Sequence, residues 1–531
     1  MTKFFFKRLL RGAISVIIVV AIIMILIYSL LDRKLVFAQD PYWTKISAND
    51  RTMYEYQMWE NYGYIDLVTY QEWLTDLVTK GEIDSETRNS VANIGNKAAD
   101  DSVEVAAYIN KFTEYYKSLG YKVRRIDAKM KTATTVFAGF NKYLFAYRDR
   151  PLISRLWSYF TGMITVDNIH YVKDDVGERG VKFTLFDPAY GGDTFAPAII
   201  GNGTKYKYLL YVDGDFPFIH QNLVSINLGW SYTVTHGVDV WNTMTDPQGR
   251  QDQRAVTYPT GVYSLTADNI HTAKYVAGSK DKVAMVKDEN GVQQPRFTDD
   301  YTDVVLYKSG MSKMGYSFVI GILAAILSYM LGIPIGIIMA RNKDKLIDKI
   351  GTFYIIFIIA VPSLAYIFLF RAIGGGMGLP TTFMMEDVGN VLMYVLPVVS
   401  LALPAVAGLM RWLRRYMIDQ MNSDYVKFAR SGGLSESEIF SKHIFKNAAI
   451  PIVHNIPGNI LGALVGAIIT ERVYVVPGAG GLLPEAINKY DNGVIIGVTL
   501  FYAVLSVVSI ILGDILMAMV DPRISFSTKA R

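Results

Sequence analysis

DYVKFARSGGLSESEIFSKHIFKNAAIPIVHNIP, residues 424–457, is the stretch whose reading decides the fold. It lies between two apolar runs of spanning length, yet it is polar and charged and is built as two short helices around a turn. Asp424–Ser431 reads as the first helix, its acidic start matched to the helix dipole. Gly432 and Gly433 end it, because glycine accepts a left-handed position without steric cost. Ser435 opens the second helix, with Glu438 at capping-box spacing and Leu434 and Ile439 placed for a hydrophobic staple. Lys442, His443 and Lys446 fall in its last turns, and Pro451 marks the entry to the next span. Spacing alone leaves two readings open: a helix pair resting on lipid headgroups, or a protein-docking element.

The chain has 531 residues, 51% of them hydrophobic, with a mean hydropathy of +0.22. That is too apolar for an ordinary soluble protein and too polar for a bare membrane bundle. A net charge of +5 is small for this length and gives no nucleic-acid signal. Cysteine is absent, which excludes disulfides and thiolate metal sites. An exposed domain must then rest on its own core, for which 35 tyrosines and 7 tryptophans are available.

Lys3, Lys7, Arg8 and Arg11 precede an uncharged run, Gly12 to Leu31, that we read as an uncleaved first span with its N-terminus inside. From Asp32 to about Lys313 nothing is long and apolar enough to span. Asp84–Tyr121 has a helical pattern, with Val103, Ala106, Ala107, Ile109, Phe112 and Tyr116 near one stripe. Short β-like runs follow at Val181–Phe186, Tyr206–Val212, Ala255–Tyr263 and Asp303–Tyr307, separated by Gly191-Gly192, Asp213-Gly214 and Asn290-Gly291 turns. The region reads as a folded α+β domain outside the membrane.

Five further spans are expected. Met314–Ala340 is interrupted by Gly332, Pro334 and Gly336, Ile350–Phe370 carries Pro362, and Val388–Met410 carries Pro397 and Pro404. Asn447–Thr470 and Asn492–Gly513 complete the set. The prolines are expected kinks, tolerated where neighbouring helices or a wet path satisfy the freed carbonyls. Arg341, Lys343, Lys345, Lys349, Arg411, Arg414 and Arg415 would lie inside. The Gly374–Asn390 loop, without Lys or Arg, would lie outside. The division is therefore 1–31 for the N-terminus and first span, 32–313 for the outer domain, 314–520 for a core of five spans containing the loop 421–447, and 521–531 for an inner tail.

ARSGGLS (Ala429 to Ser435), with Asp424 and Tyr425 before it and NAAIP (Asn447 to Pro451) after it, resembles the "EAA" coupling loop of ABC-importer permeases. The similarity continues through LGIPIGIIMAR (331–341), VPSLAY (361–366), LPVVSLALP (396–404), ERVYVVPGAGGLLPEAI (471–487) and DPRI (521–524). It is that of the OppB/DppB-like oligopeptide permeases. The outer segments 150–162 and 228–240 echo that family's shorter loop, and the enlarged outer domain resembles the AmiC-type subunits. One departure is Gly432, where the family usually has a basic residue.

The resemblance implies a type I ABC-importer permease fold, an α-helical polytopic membrane protein of six transmembrane helices with an α+β domain inserted between the first two. It implies a coupling surface at Asp424, Tyr425, Ala429, Arg430, Gly433, Leu434, Ser435, Glu436 and Glu438. Glu471, Arg472, Pro477, Gly478 and Gly480 become candidates for an outer gate or pathway. The implied partners are a second homologous permease, two ATP-binding subunits, a lipid-anchored extracellular peptide-binding protein, the peptide and the bilayer. The cell would be bacterial and Gram-positive.

The residues themselves suggest little chemistry. Six scattered histidines show no metal-ligand spacing, no GxxxxGK[ST] phosphate loop occurs, and no catalytic constellation stands out. The resemblance implies that ATP and Mg lie on partner ATPase subunits, so no cofactor is expected in this chain. Asp514, an acid among apolar residues, reads as half of a structural ion pair rather than a proton carrier. Alternatives from the sequence are a membrane-anchored extracellular receptor, or a permease of the same family for dipeptides or a nickel chelate.

Overall fold

The architecture comes from a computed structural model. It describes residues 2–46, 48–126, 144–172, 176–186, 195, 197–212, 219–249, 251–264, 283–287, 293–308, 310–384 and 390–520. The expected turns at 191–192, 213–214 and 290–291, the DPRI segment and the tail 521–531 lie outside these. The chain divides into two compact units. One comprises Met1–Met24, Val240–Gln251 and Lys308–Arg531, and the other Ile25–Asp239 and Asp252–Tyr307. The boundary departs from the expected 32–313, because 240–251 belongs with the helical unit.

The helical unit begins with α1 (Thr2–Leu30), an apolar run behind a basic first stretch. It buries Val16, Val20 and Met24, spaced four apart on one face, and leaves most other apolar side chains exposed. Next is α2 (Lys313–Arg341), capped by Ser312, whose Oγ accepts the Gly315 N–H at 3.0 Å. Contrary to expectation, Gly332, Pro334 and Gly336 do not interrupt it. The two glycines instead form a contact surface for the helix α5 described below: a Cβ at Gly332 would lie 2.9 Å from Leu409 Cβ, and one at Gly336 3.3 Å from Leu413 Cβ.

α3 (Leu346–Ala360) and α4 (Ser363–Gly376) meet at 111° across Val361-Pro362. Pro362 was expected to kink a span. It breaks the helix outright, since proline drives the preceding residue out of the helical region, and Val361 is extended at ψ 130°. α5 (Leu392–Met421) keeps Pro397 and Pro404 inside one helix. Carbonyls beside Pro404 gain partners from neighbouring helices: Ala402 O accepts from Ser328 Oγ at 3.1 Å, and Leu403 O from Tyr354 Oη at 2.8 Å. α5 runs three turns past the expected end at Met410. There Arg414 reaches Asp348 with Nε and one terminal nitrogen, at 2.5 and 2.6 Å.

After α6 (Asp424–Ser431) the expected span 447–470 is not one helix. It is divided into α7 (Lys446–His454), α8 (Ile456–Gly466) and α9 (Ile468–Tyr474). Pro457 has no N–H to continue the ladder across Asn455. Then come α10 (Leu482–Asn488) and α11 (Asn492–Val520). Among the described residues four helices are long and apolar enough to cross a membrane, and the bent α3–α4 pair makes five. Six such spans were expected. Asp514 on α11 pairs with Arg8 Nε at 2.5 Å, the structural ion pair read from the sequence.

The other unit is α+β. Strands β1 (Ile65–Thr69), β2 (Lys122–Arg125) and β3 (Leu144–Asp149) form an antiparallel sheet with β3 central. β4 (Ile164–Val166) pairs with β9 (Val224–Ile226), and β5 (Gly180–Thr184), β6 (Ala198–Asn202), β7 (Tyr208–Val212) and β8 (Ile219–Gln221) form a meander. β10 (Trp230–Ser231) pairs with β11 (Val238–Asp239), and β14 (Gln293–Lys308) lies between β12 (Gln251–Ser264) and β13 (Val283–Lys287). All four expected β-like runs coincide with strands.

The tyrosine-rich core expected from composition gathers Tyr54, Tyr56, Trp59, Tyr62, Tyr64 and Phe145. Asp84–Tyr121 is two helices, Ser85–Val91 and Val103–Ser118, not one. On this face Val105 and Phe112 are buried, and Tyr108, Ile109 and Tyr116 pack against them half-buried. Val103 is 90% exposed because it opens the helix beside the cap Ser102.

Candidate functional site: residues 424–457 and the glycine turn

α6 has the predicted bounds. Its C-terminal turn closes through Gly432, at an ordinary φ of −76°, and Gly433, at φ +81°. Only the second position requires glycine. Ser435 Oγ accepts the Glu438 N–H at 3.3 Å and donates to the Glu438 carboxylate at 3.0 Å, so the expected cap forms. Beyond Glu438 the chain widens into a π-helical segment, Ile439–Phe445, that runs straight into α7. Pro451 therefore lies inside a helix rather than at an entry.

One face of this segment is buried. Val426, Ala429, Ile439, Phe440, Ile444 and Ala448 pack with Ala340 at the end of α2 and with Leu413 and Met417 of α5. The Arg341 guanidinium lies 4.5 Å from the centre of the Phe440 ring, adding a cation–π contact. Tyr425 ties the two arms together: its hydroxyl donates to Gln420 Oε1 at 2.6 Å and accepts from Asn447 Nδ2 at 3.0 Å. Arg430 and Glu436 pair across the glycine turn at 2.6 Å, and Asp424 pairs with Lys427 at 2.9 Å.

The other face is open. Every residue from Arg430 to Ser437 is exposed. Leu434, placed in sequence to staple onto Ile439, is 41% exposed while Ile439 is fully buried. The sequence reading also passed over Phe428, which is 79% exposed at the outer corner of α6. With Val426 and Ala429 buried, the helical period turns position 428 outward. Among the nominated positions, Ala429 and Tyr425 hold the scaffold together, and Asp424, Arg430, Leu434 and Glu436 face outward.

The second nominated group surrounds the turn Pro477–Gly481. Glu471 does not face a passage. It is 3% exposed, and its carboxylate accepts from Ser317 Oγ at 2.5 Å and from the Gly480 N–H at 2.9 Å. Ser317 Oγ also accepts the Ala479 N–H at 2.8 Å. A Cβ at Gly478 would lie 2.2 Å from the Glu471 carboxyl carbon. Glycine is thus required there by close approach, and Arg472 alone of the pair points outward. Nearby, Tyr474 Oη lies 2.8 Å from Ser400 Oγ.

Between α4, α5, α8 and α9 lies a cavity of about 480 Å³, lined by Tyr366, Ser400, Pro404, Trp412, Asn459 and Thr470 among others. Among the described residues no charged side chain contributes to its wall.

A bundle of apolar helices, broken at Pro362 and beside Pro457, lines an uncharged cavity and carries a folded polar segment at one end. These features define a multi-pass helical membrane protein. Residues 332–526 match the family described as "Binding-protein-dependent transport system inner membrane component". The chain is 34% identical over 533 residues to the oligopeptide transport system permease protein AmiC of Streptococcus pneumoniae, covering all of this chain and 99% of that protein. It is 32% identical over 225 residues to the dipeptide transport system permease protein DppB of Lactococcus lactis, covering 42% of this chain and 73% of that one. It is 30% identical over 226 residues to the oligopeptide transport system permease protein AppB of Bacillus subtilis, covering 41% and 71%. The chain belongs to this family of ABC transport permeases.

Proposed function

We propose that the chain is the permease subunit of an ATP-driven oligopeptide importer, forming half of the translocation path with a second, homologous permease. The observation that carries the reading is the two-faced segment 424–457. One face is fixed to the ends of α2 and α5, and the other presents Phe428 and the 430–437 turn to solvent. A rigid element with an exposed aromatic is suited to enter a cleft on an ATPase subunit and to move with it. Because the segment is packed on α5, which also lines the uncharged cavity, closure of two ATPases around ATP and Mg would be transmitted to the cavity wall. An uncharged wall imposes no like-charge repulsion on peptides of either sign.

In this reading the termini are cytoplasmic, and α7–α9 form a broken sixth crossing. The α+β unit lies outside the cell, where it guides peptide from a lipid-anchored binding protein. The host is Gram-positive. Glu471 holds the turn 477–481 near the outer mouth rather than touching cargo.

The test is purification of the intact complex carrying Phe428→Ala. Unchanged membrane abundance, reduced ATPase co-purification and reduced ATP-dependent peptide uptake are expected. Saturable ATP-dependent uptake by this chain alone in liposomes, or full ATPase association by Phe428→Ala, would overturn the assignment.

A further inference from the structure

Helices α1 and α11 touch where Gly12 meets Val507. A Cβ at Gly12 would fall 2.3 Å from Val507 Cγ1, so only glycine permits this approach. Beside the contact runs a groove of about 800 Å³. Its wall is apolar along Val16, Val19, Tyr502 and Val507, and its N-terminal end is ringed by Lys7, Arg8 and Arg11. Asp514 neutralises Arg8. Lys7 and Arg11 are exposed and have no acidic partner among the described residues. The groove therefore ends in two uncompensated positive charges.

Its length fits the same chemistry. From Lys7 to Val19 the helical rise amounts to about 18 Å. That is close to one leaflet's share of the ~30 Å hydrocarbon core. A slot with two cations at the headgroup level and apolar walls down one leaflet complements a molecule with an anionic head and a hydrocarbon tail. Basic pockets between membrane helices take anionic lipid heads for this reason.

We propose that the α1–α11 groove is a binding site for an anionic phospholipid, with its phosphate at Lys7 and Arg11 and one acyl chain along Val16, Tyr502 and Val507. The bound lipid fills the space between the first and last helices beside the Gly12–Val507 contact and the Arg8–Asp514 pair. The site uses none of the residues assigned to ATPase docking or the cavity.

The experiment is native mass spectrometry of the intact complex, equilibrated with equal amounts of phosphatidylglycerol and phosphatidylcholine. The wild type should retain phosphatidylglycerol in preference. The double variant K7Q/R11Q, which spares the Arg8–Asp514 pair and the apolar wall, should retain it roughly tenfold to thirtyfold less. K345Q/K349Q, which removes two charges outside the groove, should behave as wild type. Ala503→Trp, which fills the groove without changing charge, should lose the lipid. Should Ala503→Trp fail to assemble, the charge variants still decide. Equal retention of both lipids by wild type, or unchanged phosphatidylglycerol retention by K7Q/R11Q, would overturn the proposal. So would high-yield crosslinking of Ser15→Cys to the second permease, which would place a protein helix in the groove.

Discussion

Ser317 Oγ and the Glu471 carboxylate lie 2.5 Å apart, although the two residues are 154 positions apart in the chain. Both residues are buried. Through this bond and the amides of Ala479 and Gly480, the glycine turn is fastened to α2. A buried carboxylate without a cation is tolerated because each of its oxygens has a hydrogen-bond donor.

Glu471→Ala should leave Ser317 and the Gly480 N–H without their partner, at a cost of about 1–3 kcal/mol for each buried group left unsatisfied. Gly478→Ala should be comparably damaging, because its Cβ would occupy the carboxylate position. The two changes should be non-additive, since removing the carboxylate removes the clash. Thermal unfolding of the purified complex for both singles and the double checks this. Simple additivity would show that Glu471 and Gly478 do not meet.

Gly433→Val should strain the turn by about 1–3 kcal/mol, because a β-branched residue is strongly disfavoured at φ +81°. Open space surrounds the Gly433 Cβ position, so the effect is conformational and not steric. The subunit should still insert, while ATPase association and peptide uptake fall. Gly432→Ala is the matched control: its φ is ordinary, and its Cβ would make only van der Waals contact at 3.5 Å. Normal uptake by Gly433→Val would remove the docking role from this turn.

Asp348→Ala should lower membrane abundance and thermal stability. It strips the partly buried Arg414 of a two-point partner, and breaking such a buried pair costs about 3–5 kcal/mol when desolvation is complete, less here because Arg414 keeps some solvent. Glu436→Ala, which breaks the exposed Arg430–Glu436 pair, should leave abundance unchanged. Equal abundance for the two variants would contradict the burial argument.

The α+β unit should lose stability in acid through Asp101. Burial favours protonation of its carboxyl, but hydrogen bonds from Arg125 and the Gly95 N–H outweigh it and hold the pKa below the ordinary range. A carboxyl depressed on folding contributes stability above its unfolded pKa of about 3.9, and that contribution is lost as pH falls through the lower folded value. Asp101→Asn should therefore be destabilising at pH 7 and should flatten the acid limb of the unfolding curve measured between pH 5 and 2. An unchanged acid limb would exclude Asp101 as a contributor.

Features written within a few residues of one another were legible in the sequence. Asp424–Ser431, the Ser435 cap and the left-handed Gly433 depend on local sterics and short hydrogen bonds, and the structure keeps them in place. The long apolar helices were also legible, because hydropathy sums over neighbouring residues. The Arg8–Asp514 pair was half visible, since a lone acid among apolar residues requires a partner even where the partner is unnamed.

Other features depend on what a residue meets across the fold. Gly332 and Gly336 read as helix breakers until Leu409 and Leu413 of α5 are seen against them. Glu471 reads as a gate residue until Ser317 is found beside it, and Phe428 is recognised as exposed only once Val426 and Ala429 are known to be buried. The sequence by itself determined the ends of Asp424–Ser431, the turn at Gly433 and the alternation of membrane and polar segments, because those energies are local. Tertiary structure alone decided that Pro362 breaks its helix while Pro334 and Pro404 do not, and which way Glu471 faces. Those outcomes turn on contacts between residues tens to hundreds of positions apart, whose geometry no local pattern contains.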